Sequence, residues 1–171
     1  MMTKTMSSTA TAQHPTPGVL TRIAAIGARL GRFPLAIHQL LFRFAIAGVF
    51  LRAGLDKVRS WESTVALFRD EYKVPVLPPE VAAAMASTFE IGCSVLLLIG
   101  LASRLATLPM LGMLMTIQLF VYPSAWPEHL VWGSILLFLL TRGPGAISID
   151  RALGLEPAER DSTVPTSRAR A

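Results

Sequence analysis

The sequence predicts an all-α integral membrane protein, a bundle of four transmembrane helices with an amphipathic interfacial helix between spans 1 and 2. Three observations lead to this fold class: 52% of the 171 residues are hydrophobic, only 16% are charged, and the charges crowd into both ends and into residues 56–72. A soluble domain of this length could not bury so much apolar surface. Long charge-poor runs are instead what the hydrocarbon core of a bilayer requires.

Four charge-poor segments are predicted to cross the membrane, at about residues 35–58, 80–101, 104–122 and 124–141. Pro109 lies inside the third segment, where it is tolerable as a kink because neighbouring groups in a membrane protein can satisfy the freed backbone groups. The glycines and proline that follow Arg142 end the fourth segment. An even number of spans places both termini on one side of the membrane, and the distribution of Lys and Arg favours the cytoplasmic side.

The flanking segments divide the chain into three predicted parts. Residues 1–34 are expected to form a disordered leader, rich in Thr, Ser and Pro, followed by a basic interfacial helix. Residues 35–155 form the membrane domain, and residues 156–171 a disordered tail. Between spans 1 and 2, Trp61, Val65, Phe68 and Tyr72 recur at steps of four, three and four, which predicts one apolar face of an interfacial helix.

Composition argues against two classes of function. The formal charge is +5, but the basic residues flank apolar runs and form no single basic face with interleaved aromatics, so nucleic acid is not an expected partner. Cys93 is the only cysteine and lies within an apolar run. A lone thiol cannot build a disulfide framework, a CxxC pair or a thiolate metal site. No metal site is predicted, and no intrinsic cofactor is evident from the sequence.

Glu90 is the most informative residue, because a carboxylate near mid-bilayer is costly unless it is paired or neutral. Its predicted depth is about 15 Å from the cytoplasmic boundary, on a helix face of small residues. On the first span, Arg43 shares a face with Gly54 and Lys57. We therefore predict an Arg43–Glu90 ion pair, which either fixes the register of the bundle or forms a proton or ligand site.

His129 is a weaker candidate. It could ligate haem or relay protons, but its predicted position at the outer interface favours an ordinary solvated histidine. Three methionines of the third span, Met110, Met113 and Met115, are interpreted as packing and lipid contacts in preference to a copper site.

Several short motifs carry a family resemblance. They are Arg43 followed by Gly54-x-x-Lys57, then Glu90 and the sequence GLASR at 100–104, and finally GPGAISID at 143–150. In this order and placement the chain resembles the DoxX family of bacterial membrane proteins. The resemblance implies a four-helix fold in the cytoplasmic (inner) membrane and a connection to quinone-linked thiosulfate oxidoreductases and other membrane oxidoreductase assemblies.

Three functions remain open at this point. The first is a membrane subunit that supports a quinone-linked or detoxifying redox process. Its polar core or ligand-contacting set would be Arg43, Lys57, Glu90 and Arg104. A quinone is the candidate cofactor, and a redox enzyme or a second copy of the chain is the candidate partner. Whether such a subunit is itself an enzyme is left open. The second is a non-enzymatic scaffold that recruits a partner. The third is a small-molecule transporter.

Two of the motifs also have simple structural interpretations. Arg104 is expected to meet headgroup phosphates or the C-terminal carbonyls of the preceding helix. Ser148 and Asp150 are expected to cap the short segment that follows them.

Overall fold

The computed structural model describes residues 18–156, and the regular secondary structure of this part of the chain is helical, with no β-strand. The predicted leader at 1–17 and residues 157–171 of the predicted tail lie outside the described residues. The helices are α1 (Val19–Leu30), α2 (Leu35–Arg59), α3 (Trp61–Leu67), α4 (Pro79–Ile99), α5 (Ser103–Thr116), α6 (Trp126–Arg142) and α7 (Ile149–Ala152). Single π-helical turns extend α3 over Phe68–Tyr72 and α5 over Ile117–Val121.

The chain divides into two units, and helix α1 belongs to the first, which ends at Phe33; the second begins at Pro34. No residue of α1 is buried. Its apolar positions, Leu20, Ile23, Ile26 and Leu30, follow the helical repeat and are exposed. The predicted helix in this segment is confirmed, and its membrane-surface location stays a prediction.

The second unit is a four-helix bundle. Helix α2 packs on α4 and α6, α4 packs on α5, and α5 packs on α6. The shared core is apolar and contains Ile46, Ala47, Phe50, Cys93, Leu97, Ala106, Met110, Leu114, Leu136 and Leu139. Three helices are long and apolar enough to cross a membrane, at Leu35–Arg59, Pro79–Ile99 and Ser103–Val121. Helix α6 has 17 residues, about 26 Å, so its crossing stays a prediction.

Gly54 brings α2 and α4 into close contact. A Cβ atom at this position would lie 2.8 Å from Cγ1 of Ile91 and 2.9 Å from Cβ of Glu90. These separations are too short for any side chain, so only glycine permits this approach. The contact places Gly54 level with Glu90, and Lys57 follows one turn later on the same face of α2.

The segment between α2 and α4 packs on protein along most of its predicted apolar face. Val65 and Phe68 are buried against Ala82 and Ala83 of α4, and Tyr72 packs against the same cluster. Trp61 remains 41% exposed. The structure thus has a helix in this segment, with its apolar face turned toward α4, and its location at the membrane interface stays a prediction.

Asp150 caps α5 from a distant part of the chain. Its carboxylate accepts from the backbone N–H of Ala102 at 2.7 Å and from that of Ser103 at 2.9 Å. The hydroxyl of Ser148 accepts from the N–H of Arg151, so the predicted cap on α7 is confirmed for Ser148. The predicted cap on α7 is wrong for Asp150. Its carboxylate instead binds the N–H groups at the start of α5, which have no partner within their own helix.

Replacing Asp150 with alanine is expected to lower the free energy of unfolding by about 2 kcal/mol, since two N–H groups of α5 lose their buried acceptor. Circular dichroism of the purified protein in detergent, followed on heating, measures this loss. Asp56→Ala is the matched control, because Asp56 is exposed and its ion pairs with Arg52 and Arg59 are long, at 3.9 and 3.7 Å. Equal melting temperatures for the two variants would contradict the capping role.

Candidate functional site

A buried ion pair joins α2 to α4. The ammonium of Lys57 donates to both carboxylate oxygens of Glu90, at 2.8 Å each. The side chain of Glu90 is 3% exposed and that of Lys57 is 18% exposed. Glu90 is thus a fully enclosed carboxylate whose charge is compensated by a lysine that remains partly accessible.

The predicted Arg43–Glu90 pair is wrong. Glu90 lies level with Gly54, which is about 16 Å along α2 from Arg43, too far for an arginine side chain to reach. The sequence argument assumed a smaller axial offset between the two helices. Lys57 takes the place that was predicted for Arg43.

Arg43 instead binds backbone carbonyls. It is 2% exposed, and its guanidinium donates to the carbonyl oxygens of Leu97 at 2.6 Å, Leu98 at 2.7 Å, Ile147 at 2.5 Å and Pro144 at 3.3 Å. Leu97 and Leu98 belong to the last turn of α4, whose carbonyls have no partner within the helix. Arg43 therefore fastens the end of α4 to the segment that follows α6.

Arg104 has a similar role at the same end of the bundle. Its Nε and Nη2 atoms bind the carboxylate of Glu156 at 2.7 and 3.0 Å, and Nη1 donates to the carbonyls of Leu140 and Thr141. The carbonyls that it contacts belong to the last turn of α6, where the sequence had suggested those of α4. Contacts of the membrane domain also extend to Glu156, which the sequence assigned to the tail.

The four predicted site residues therefore lie at two places. Arg43 and Arg104 contact the segment that leaves α6, whereas Lys57 and Glu90 lie toward the other end of the helices. The structure brings together only Lys57 and Glu90.

Lys57 and Glu90 line a partly open cavity of about 550 Å³. Helices α2, α4, α5 and α6 and the residues between α3 and α4 all contribute to its wall. Most of the lining residues are apolar or aromatic, among them Phe50, Phe89, Met113 and Trp132. The volume falls within the range of about 300–1,000 Å³ that is usual for small-molecule sites.

His129 also lines this cavity, and its predicted solvation is wrong. The residue is 7% exposed, because Trp132 lies against its ring at 5.6 Å and Gln118 covers its Nδ1 atom. The distance from His129 Nδ1 to Gln118 Oε1 is 2.6 Å. A histidine predicted to face water is thus part of the cavity wall.

Two tyrosines in the cavity wall were missed by sequence reasoning. Tyr72 and Tyr122 meet edge to face at 5.7 Å, and the hydroxyl of Tyr122 donates to the Glu71 carboxylate at 2.6 Å. The bond to Glu71 raises the pKa of Tyr122, and burial raises the pKa of Tyr72. Both hydroxyls therefore stay protonated at neutral pH. The shared face of Tyr72 with Val65 and Phe68 was the available signal that it points inward.

No three His, Cys, Asp or Glu side chains within residues 18–156 come together in a way that could hold a metal ion. Cys93 is buried in the core and carries a free thiol.

These features define a multi-pass helical membrane protein whose apolar faces contact the lipid bilayer and whose interior holds a partly polar cavity. A model of the DoxX family matches residues 38–123, and the chain belongs to this family. No curated protein and no solved structure matches the chain significantly. The matched residues include Arg43, Lys57, Glu90 and Arg104, whereas α6 with His129 lies beyond them.

Proposed function

We propose that this chain is a four-span subunit of the bacterial cytoplasmic membrane that binds a quinone in the cavity and supports a quinone-linked redox reaction of a partner enzyme. The observation that carries the proposal is the Lys57–Glu90 pair in the wall of a largely apolar cavity. In this proposal both termini lie in the cytoplasm.

The charge of the site favours a neutral ligand. Lys57 and Glu90 together carry no net charge, and Glu128, the other charged residue of the wall, is exposed to solvent that screens it. The enclosed part of the cavity therefore has no strong attraction for an ion. A lysine ammonium has three N–H donors, and two of those of Lys57 are engaged by Glu90. The third can donate to a ligand carbonyl, while the aromatic walls pack on a flat ring. A quinone combines these two properties.

Helix α6 serves as the fourth span in this proposal. It packs along α2 and α5, so it shares the membrane depth of two helices long enough to cross. Exposed Trp126 at its beginning suits an interface, where tryptophan is enriched. On α5, exposed Leu105, Leu108, Leu119 and Phe120 would form an unfavourable apolar patch in water and a suitable lipid contact in a bilayer.

The proposal is tested by quinone binding to the full chain in lipid nanodiscs. Titration with a short-chain ubiquinone, followed by quenching of tryptophan fluorescence, should saturate, because Trp132 lies in the cavity wall. Glu90→Gln should weaken binding by about tenfold or more, since Lys57 loses the charged partner that orients it. The exposed Asp56→Asn is the control and should bind as the original protein does.

Absence of saturable binding to the original protein in nanodiscs would overturn the proposal. Recovery of a stoichiometric partner polypeptide in that case would favour the scaffold alternative. If Glu90→Gln and the original protein bind the quinone with equal affinity, the Lys57–Glu90 pair does not contribute to the binding site.

A further inference from the structure

We infer that His129 accepts a hydrogen bond from a hydroxyl of the bound ligand, so that the cavity prefers a quinol, or another phenol, to the corresponding quinone. The inference rests on the proposed function and specifies the redox form that the site recognises. It is carried by the hydrogen bonds around Gln118, which assign the donor and acceptor atoms of the histidine ring.

The orientation of the Gln118 amide is fixed by a backbone carbonyl. Its Nε2 atom donates to the carbonyl oxygen of Pro123 at 2.8 Å. A carbonyl oxygen can only accept, so the amide nitrogen must lie on this side. The amide oxygen of Gln118 therefore faces His129.

The same logic assigns the proton on His129. The Oε1 atom of Gln118 can only accept, and it lies 2.6 Å from Nδ1 of His129, so Nδ1 carries the hydrogen. In a neutral imidazole the other nitrogen, Nε2, is then an acceptor. Gln118 is thus a positioning residue that keeps this lone pair on Nε2.

This acceptor belongs to a buried side chain in the cavity wall. His129 is more than nine-tenths buried, and within residues 18–156 its only hydrogen bond is the one to Gln118. Nε2 has no hydrogen-bond partner among residues 18–156, and it is accessible from the cavity that His129 lines. A ligand hydroxyl in the cavity can therefore donate to it.

Lys57 and His129 in the cavity wall together complement a quinol. Lys57 offers a donor, as argued above, and His129 offers an acceptor. A quinol hydroxyl can accept from one group and donate to the other, whereas a quinone presents acceptors only. Glu90 competes poorly for a ligand hydroxyl, because its side chain is only 3% exposed.

The test compares three small probes that differ in hydrogen-bond donors: trimethylhydroquinone, trimethylbenzoquinone and the dimethyl ether of the hydroquinone. Anaerobic calorimetric titrations in nanodiscs give their affinities for the full chain. The hydroquinone should bind about tenfold more tightly than the dimethyl ether or the quinone. His129→Phe should abolish this preference, so that the hydroquinone and its dimethyl ether then bind about equally.

A variant of Gln118 tests the positioning role of this residue. Gln118→Leu should reduce the preference for the hydroquinone, because Nδ1 no longer has an acceptor that holds its proton. His38→Phe, a matched substitution at an exposed histidine of α2, should have no effect.

Nitrogen-15 NMR of the histidine-labelled original protein provides a measurement that does not depend on whether any variant folds correctly. A neutral His129 protonated at Nδ1 is expected, and protonation at Nε2 alone would overturn the inference. Equal binding of the hydroquinone and its dimethyl ether to the original protein would also overturn it, although saturable quinone binding would leave the proposed function standing. If none of the three probes binds, the proposed function itself fails.

Discussion

Lys57→Met is expected to lower the free energy of unfolding by about 3–5 kcal/mol, because the enclosed Glu90 carboxylate loses its counter-charge. Glu90→Gln is expected to cost less, since the Lys57 ammonium is 18% exposed and borders a cavity where water can reach it. Reversible unfolding in mixed detergent micelles, followed by circular dichroism, measures both losses. This asymmetry distinguishes a buried ion pair from a simple loss of side-chain packing.

The double variant Lys57→Met/Glu90→Leu provides the control for this prediction. Removing both charges should recover most of the lost stability, because neither charge then remains without a partner. Arg52→Met replaces an exposed cation of the same helix and should have little effect. Additive losses in the double variant would mean that Lys57 and Glu90 stabilise the bundle independently.

The second large effect is expected for Arg43→Met, at about 3 kcal/mol or more. This substitution removes the buried guanidinium with all its donors, so each of four carbonyl oxygens loses one hydrogen bond. Arg43→Lys should rescue only part of the loss, because one ammonium cannot reproduce the planar fork of donors. Melting temperature and folded yield in detergent measure both variants.

Arg52→Met is again the matched control, since Arg52 lies on the same helix and its side chain is 88% exposed. A lysine at position 43 that restores full stability would show that charge alone is sufficient there. If Arg43→Met has the same melting temperature as the original protein, Arg43 does not fasten the end of α4.

Helix positions could be predicted closely from the sequence. The first span was expected at 35–58 and is Leu35–Arg59, and the second was expected at 80–101 and is Pro79–Ile99. Charges, prolines and glycines bound these apolar runs, so local chemistry specifies where each helix ends. The small-residue face around Glu90 was also predicted correctly, because helical periodicity determines which positions share a face.

Contacts between helices were harder to predict. Pairing Glu90 with Arg43 required the axial offset between α2 and α4, which periodicity does not contain. Gly54 was the useful signal, because a glycine one turn before Lys57 marks the level at which the backbones meet. Asp150 and Gln118 offered no such signal, since their partners depend on how loops return to the bundle.

The two ends of the bundle differ in how firmly they are held. Arg43, Arg104 and Asp150 tie the segment after α6 to the ends of α4, α5 and α6. The cavity lies toward the opposite end, where the turns Phe68–Tyr72 and Ile117–Val121 depart from α-helical geometry. We therefore expect backbone amides near the cavity to exchange hydrogen faster than those near the arginines. A ligand could then enter by local separation of the helix ends, while the fastened end keeps the four helices aligned.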